Sequence, residues 1–310
     1  NVKINAIVGN PPYQVMDGGG NGAAATPIYN IFLTISRRMQ PNYISLIMPA
    51  RWYGGGRGLD EFRQDMLNET HVSFLKDFPN PKDCFPTTNI SGGLCYILWD
   101  KAHTTNKATI VNSINGTNHF SNRALNEFEI FVRYNDAISI IRKVQANNFN
   151  CIAEIISQYM PFGIRSYERG SQIKANDSDL VLHSSKGIGY ISNDKAIASL
   201  EYVPKFKVLI GKALSGHLGE TDENGQVRVL ALIKLVGPFE VCTESYIAIG
   251  RMDSKTDAEN LLKYILTQFF RFLLLQGLTS MNITRDRFLF VPLQDFTDKS
   301  DIDWTQSVAD

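Results

Sequence analysis

Ala6-Ile7-Val8-Gly9-Asn10-Pro11-Pro12-Tyr13 is the stretch on which the fold class of this chain turns. Three apolar, strand-type residues run into Gly-Asn-Pro-Pro, which no regular element continues, because each proline fixes φ, lacks an amide hydrogen and restricts the residue before it. A short strand is therefore expected to end in a rigid, extended turn. That turn would set the Asn10 amide and the Tyr13 ring at the carboxyl end of the strand. The plainer alternative is a turn with no chemical role, which Asn and Pro make unaided.

The chemistry such a turn suits is specific. An exocyclic amine on an aromatic ring is a poor nucleophile, because its lone pair is delocalised into the ring. Two hydrogen-bond acceptors aimed at the amine hydrogens localise that pair. Asn10 offers a side-chain carbonyl and Pro11 a main-chain carbonyl, the two prolines preorganise both, and Tyr13 offers a flat face for the ring. No histidine base is required, because the proton leaves after the amine has become cationic.

Working outward, further strand-type runs occur at Ala6–Val8, Tyr43–Met48, Val72–Asp77 and Gly93–Trp99. Between the first two, Ile28, Ile31, Phe32, Ile35 and Met39 recur at helical spacing, with Thr26 and Pro27 as the expected N-cap and first-turn pair. Leu59, Phe62 and Met66 mark a second helix. Strands alternating with amphipathic helices predict a parallel α/β sheet. Glycine clusters at 18–22 and 54–58 follow predicted strands, where open α/β sheets bind ligands; neither matches a phosphate-binding fingerprint, and mobile active-site loops are expected.

From Ala102 to Asn126 the sequence is polar and rich in Asn and Thr, and is read as a linker or peripheral extension. Two domains are expected, 1–105 and 106–310. In the second, strands are expected near Lys207–Ile210, Val227–Val236 and Tyr246–Ile249, with a hairpin turn at Asp222–Gly225 and one long apolar core helix over Ala258–Leu275.

Composition bounds the rest. The 310 residues are 44% hydrophobic, and no apolar run approaches the roughly 20 residues that span a bilayer, so a soluble, cytoplasmic chain without membrane contact is expected. Lys plus Arg and Asp plus Glu both number 31, so net charge lends nucleic-acid binding no support, although a local basic groove can sit on a neutral protein. Cys84, Cys95, Cys151 and Cys242 are widely spaced with no C-x-x-C pair, which predicts free thiols and no metal site.

Beyond the turn, Ala6 to Lys101 resembles the catalytic core of adenine-specific DNA methyltransferases of restriction-modification systems, in the arrangement where a target-recognition domain follows the catalytic one. The shared marks are Asn10-Pro11-Pro12-Tyr13, the segment Thr26 to Phe32, the strand and exit Tyr43 to Trp52 with Pro49, and Asp83-Cys84-Phe85-Pro86 before the strand ending at Trp99. Looser marks follow at Lys205-Phe206-Lys207-Val208, Phe269–Phe272, Phe288–Pro292 and Asp303-Trp304, similar to fused nuclease–methyltransferases (type IIG) or type III-like enzymes.

The resemblance implies the C-terminal part of a class I, Rossmann-like methyltransferase sheet, followed by a mixed α+β target-recognition domain. It implies S-adenosyl-L-methionine as cofactor, with Phe32 packing on its adenine and Asn10 nearby. It also implies a specific double-stranded DNA site as partner, with the target adenine flipped between Tyr13 and Phe85. The catalytic set would be Asn10, Pro11, Pro12, Tyr13 and Phe85. Phe32 reads equally as a core residue of its helix, and Pro49 and Trp52 as loop packing.

The family's glycine-rich cofactor turn and acidic ribose-binding residue lie upstream of the Asn-Pro-Pro-Tyr motif, and here only residues 1–9 precede it. The chain is thus expected to be a fragment that lacks an N-terminal methyltransferase segment and binds cofactor weakly or not at all. Any nuclease or helicase domains would lie outside it. Arg165, Arg169, Lys205, Lys207 and Lys212 are candidates for DNA contacts, or equally solvated surface charge. Rival functions are methylation of a protein glutamine amide or an RNA base, and a non-catalytic DNA-specificity module.

Overall fold

The computed structural model describes residues 3–15, 26–56, 58–87, 90, 92–147, 149–213, 228–230, 232–278 and 282–306. These fall into two compact units, one running to Ile140 and one from Ile141 onward. The glycine cluster at 18–22 and the hairpin signal at 222–225 lie outside the described residues.

The first unit opens with β1 (Ala6–Gly9), then a small ribbon of β2 (Gln14–Val15) and β3 (Thr26–Pro27). Helix α1 (Tyr29–Arg38), β4 (Tyr43–Pro49), α2 (Asp60–Leu67), β5 (Val72–Phe78) and β6 (Leu94–Asp100) follow, then β7 (Lys107–Ile114) and β8 (Thr117–Ala124). The sheet order is β1-β4-β6-β5-β7-β8. Strands β1, β4, β5 and β7 run alike, while β6 and β8 run against them. The sheet is therefore mixed, where a parallel one was expected.

Three details depart from the sequence reading. Thr26 and Pro27 pair with Val15 and Gln14 in the ribbon, so they do not cap α1, which starts from Ile28 without a side-chain cap. The stretch read as a linker forms β7 and β8, joined by Asn115 and Gly116 at φ 49° and 78°. Positive φ at both positions of a two-residue loop is the hairpin geometry that Asn-Gly favours. Because this hairpin is continuous with the sheet, the first unit extends well past the boundary expected at 105.

On one face of the sheet, α1 and α2 close a core that includes Leu33, Met48, Trp52, Phe62, Met66, Leu75 and Ile97. Arg37 of α1 ties the two helices by ion pairs to Asp65 and Glu69, the latter at 3.2 Å. The stripe the sequence suggested for α1 is its outer face. Tyr29, Leu33 and Ser36 are buried, whereas Ile31, Phe32, Ile35 and Met39 are 51, 42, 46 and 53% exposed.

The second unit follows α3 (Ile138–Gln145), which spans the division. Its strands are β9 (Leu180–Ser184), β10 (Gly187–Ile191), β11 (Phe206–Gly211), β12 (Ile233–Val236), β13 (Glu240–Cys242) and β14 (Tyr246–Met252). They form two three-stranded sheets, β10-β9-β13 and β12-β11-β14. Leu182, Leu209, Val241, Tyr246 and Ala248 share one core.

In place of one long helix there are two, α4 (Lys255–Leu266) and α5 (Gln268–Gly277). Thr267 turns extended between them, at ψ 151°, and its hydroxyl accepts from the Phe270 amide at 3.0 Å. No helix among the described residues is long and apolar enough to cross a membrane.

Candidate functional site

Because β1, β4, β5 and β7 run alike, the segments leaving Gly9, Pro49 and Phe78 emerge at one edge of the first unit's sheet. In open α/β sheets that edge is where ligands bind. Asn10–Tyr13 leave β1 here. Asn10 and Pro12 are exposed, Pro11 is buried and Tyr13 is half-buried. The turn is held by its far side, where the Ile28 amide donates to the Tyr13 carbonyl at 3.1 Å and the β2–β3 ribbon begins.

The Tyr13 hydroxyl is closed off from solvent and makes no hydrogen bond of normal geometry among the described residues. Burial raises its pKa, the neighbouring Asn10 side chain lowers it, and the thiols of Cys84 and Cys95 raise it further. Two predicted site residues, Asn10 and Tyr13, thus stand together. Cys84, which precedes Phe85 in the chain, lies within electrostatic reach of Tyr13. Phe85 is half-buried, on a loop fixed by its own amide donating to the Pro81 carbonyl at 2.8 Å. Asn80 starts that loop by accepting from the Lys82 amide at 3.1 Å.

Phe32 lies on the open face of α1, 42% exposed, and is not a core residue. Trp52 is a core residue: fully buried, with ring centroids 4.8 Å from Tyr53, 6.2 Å from Phe62 and 6.0 Å from Phe131. Pro49, also buried, simply closes β4. Of the second glycine cluster, Gly55, Gly56 and Gly58 have φ near 70–78°, and the Gly56 amide donates to Asp60 at 3.0 Å. A Cβ on Gly55 would meet that carboxylate at 2.3 Å. This is a glycine-dependent entry into α2.

The sequence reading missed a buried network at the same edge. Asp77, the penultimate residue of β5, is fully buried and accepts from the Tyr53 hydroxyl at 3.0 Å; the Arg133 Nε lies 3.0 Å from its other oxygen. Asn112 of β7 donates to the Arg133 carbonyl at 2.7 Å and accepts from the Asn135 amide at 2.8 Å. Arg133 also donates to the Gly92 carbonyl, so the pair spans both ends of the loop bearing Phe85. Burial pushes the Asp77 carboxyl above the usual range, while Arg133, Tyr53 and Asn112 pull it back.

The candidate DNA contacts separate in the second unit. Lys207 is wholly buried, with Nζ donating to the carbonyls of Lys205 and Gly237 at 2.8 and 3.0 Å, and so is not solvated surface charge. Lys205 pairs with Asp253, and Arg165 lies 3.5 Å from Glu244. Arg169 is exposed and donates to the Glu168 and Ser166 carbonyls. Lys212 is 6% exposed and lines a cavity. All four cysteines are free thiols.

Residues 1–85 match the family model described as Eco57I restriction-modification methylase. The chain is 34% identical over 100 residues to an "uncharacterized adenine-specific methylase" of Mycoplasma pneumoniae (strain ATCC 29342 / M129 / Subtype 1), which covers 32% of this chain and 24% of that protein. The chain thus spans about a quarter of the length of the curated relative it matches. Among solved structures, the type IIG restriction endonuclease BpuSI overlays at TM-score 0.36 and 10% identity, covering 88% of this chain and 42% of that one. The type IIL restriction-modification enzyme MmeI, in complex with DNA, overlays at TM-score 0.46 and 9% identity, covering 92% and 45%. Residues 1–85 are thus similar to adenine-specific methylases of restriction-modification systems.

Proposed function

We propose that the first unit is the part of a DNA adenine methyltransferase that grips the target base, and that the second unit contributes to recognition of the DNA site. The observation that carries the proposal is the Asn10-Pro11-Pro12-Tyr13 turn at the carboxyl end of β1, with Asn10 exposed and Tyr13 within electrostatic reach of Cys84, the residue before Phe85.

Asn10 is exposed beside Tyr13, and its side-chain carbonyl can accept one amine hydrogen of an extruded adenine while the Pro11 carbonyl accepts the other. Holding both hydrogens returns the lone pair to nitrogen, which then attacks a methyl carbon in line with its leaving group. Tyr13 and Phe85 are assigned to the two faces of the base, offsetting the few kcal/mol that extrusion costs. The buried Asp77–Arg133 pair holds the loop of Phe85 in register with the strand ends.

S-adenosyl-L-methionine, when bound, supplies the methyl group as a sulfonium. The described residues fit one wall for it: Phe32 presents an open ring on α1, and Asn10 stands at the strand end. The other wall has to come from elsewhere. Among the described residues β1 has a neighbour on one side only, and its Val8 is 78% exposed. Parallel strands normally have both faces covered, and the Val8 side chain here is open. We therefore assign this edge, with the open face of α1, to a further methyltransferase segment of a longer protein.

The test is methyl transfer by the full-length protein. With labelled S-adenosylmethionine and duplex DNA, label is expected in N6-methyladenine. Asn10→Ala is expected to lower the rate roughly a hundredfold or more, as loss of one preorganised partner does elsewhere. Label on protein or RNA, with duplex DNA untouched, would overturn the DNA assignment. Full activity in Asn10→Ala would overturn the site.

A further inference from the structure

Successive side chains of β5 meet very different surroundings. Leu75 and Asp77 are fully buried, Leu75 in the core closed by α1 and α2 and Asp77 against the Tyr53 hydroxyl. With a period of two, Phe74, Lys76 and Phe78 take the other face of the sheet. Lys76 pairs with Tyr96 of β6 on one side and Val111 of β7 on the other, so it stands within the sheet and not at its edge. Inner strands of α/β sheets are normally apolar. A half-buried lysine at this position is a departure from that pattern.

The Lys76 Nζ lies 5.2 Å from the centroid of the Phe78 ring, at the carboxyl end of β5. An aromatic strip flanks its stem: Tyr96 stacks on Phe74 with centroids 5.8 Å apart and leans on Phe78 at 6.2 Å. Lysine stems lie along apolar surface in this way and deliver the charge beyond it. The loop that leaves β5 here carries Cys84 and Phe85. Burial raises the Cys84 pKa and the Lys76 charge lowers it, so the ammonium is within electrostatic reach of that thiol. Cys84 is in turn within reach of Tyr13 and Tyr96. The acids closest in sequence have other partners: Asp77 lies 3.0 Å from Arg133 on the opposite face, and Asp83 accepts from the Asn115 amide at 3.3 Å.

A cation over a ring is held by the ring's quadrupole and not by an acceptor atom. A phosphate oxygen is the stronger partner, and lysine binds it as a point charge. Extruding an adenine turns its nucleotide about the backbone, which brings phosphates to the mouth of the base site. The Asn10 and Pro11 carbonyls grip the base and do nothing to neutralise that charge.

We propose that the Lys76 ammonium holds a backbone phosphate beside the adenine extruded between Tyr13 and Phe85, as a positioning residue for the target nucleotide. This role rests on the first unit being the part that grips the target base.

The full-length protein is assayed for transfer of labelled methyl to a duplex containing the site at which N6-methyladenine forms. Both kcat and the KM for duplex are measured between about 50 and 200 mM salt. In Lys76→Met, whose unbranched stem keeps the packing on Phe78 and Tyr96, KM is expected to rise roughly tenfold with kcat within about twofold. The slope of log kcat/KM against log salt should flatten by about one. Lys76→Arg keeps the charge and is expected to stay within about threefold of the unaltered protein.

A role in packing alone would lower the thermal melt of Lys76→Met and leave the salt slope as it was. That outcome overturns the proposal, as does a loss confined to kcat. Absence of methyl on DNA with the unaltered protein would remove the base reading, and this role with it. Methylation of DNA that Lys76→Met leaves unchanged in KM and slope would remove only the role of Lys76.

Discussion

Asp77 is fully buried, and its partner Arg133 is 12% exposed, so neither charge can turn to water if the other is lost. Asp77→Ala is expected to destabilise the first unit by about 3–5 kcal/mol, the usual effect of stranding one member of a buried pair. Asp77→Asn, which keeps an acceptor for the Tyr53 hydroxyl, should cost less. Urea unfolding followed by tryptophan fluorescence measures both, and equal, small effects would show that the pair is dispensable. This network was not legible beforehand, because Asp77, Asn112 and Arg133 are far apart in sequence and meet only when β5 pairs with β7. That Asn10 and Tyr13 lie just past a strand end was legible, because the prolines between them cannot continue the strand. Phe32 was half legible: helical spacing shows that it shares a face with Ile31 and Ile35, but not whether that face meets the sheet.

Among elements, the β7–β8 hairpin is the clearest case of a signal present and overlooked. Asn, Thr and Ser residues made the stretch look like a linker, since β8 is an edge strand whose alternate residues face water. Yet Asn115-Gly116 sits between two strands of equal length. Gly116→Ala is expected to cost about 1–2 kcal/mol through its φ of 78° alone, because nothing lies within 4 Å of the added Cβ. Asn115→Gly should be near neutral by the same thermal-melt measurement. The break between α4 and α5 was harder to see. Apolar residues continue across it without glycine or proline, and Thr267 reveals itself only by capping. Thr267→Ala should lower stability by about 1 kcal/mol in the same assay, and no loss would mean the cap is idle.

Taken whole, the chain balances 31 basic against 31 acidic residues, but the balance hides two ammonium groups drawn into the second unit. Burial lowers Lys207, wholly enclosed, to about 8, and Lys212 likewise, against 10.5 for an unburied lysine. Below about pH 8 both folded and unfolded chains carry these protons, and the cost of burying the charges is fully present. From about 8 upward the folded chain sheds protons that the unfolded chain keeps until about 10.5, so stability must rise with pH across that interval. For Lys207 the rise should be on the order of 2–3 kcal/mol. Cys95 and Cys242, pushed up to about 12, oppose it from about pH 9, and Tyr202, Tyr246 and Tyr264 above about pH 10, where burial keeps these groups protonated while the unfolded chain ionises. Proton binding to the unfolded chain is then the smaller, and stability falls. Urea midpoints of the intact chain from pH 7 to 11 should therefore climb and then turn over. In Lys207→Met the climb should shrink, and at pH 7 the variant regains the ammonium's burial cost while leaving the Lys205 and Gly237 carbonyls without a donor. A climb between pH 8 and 9 that is the same in Lys207→Met as in the unaltered chain would mean that water reaches Lys207 and that the interior of this unit is wetter than its packing indicates.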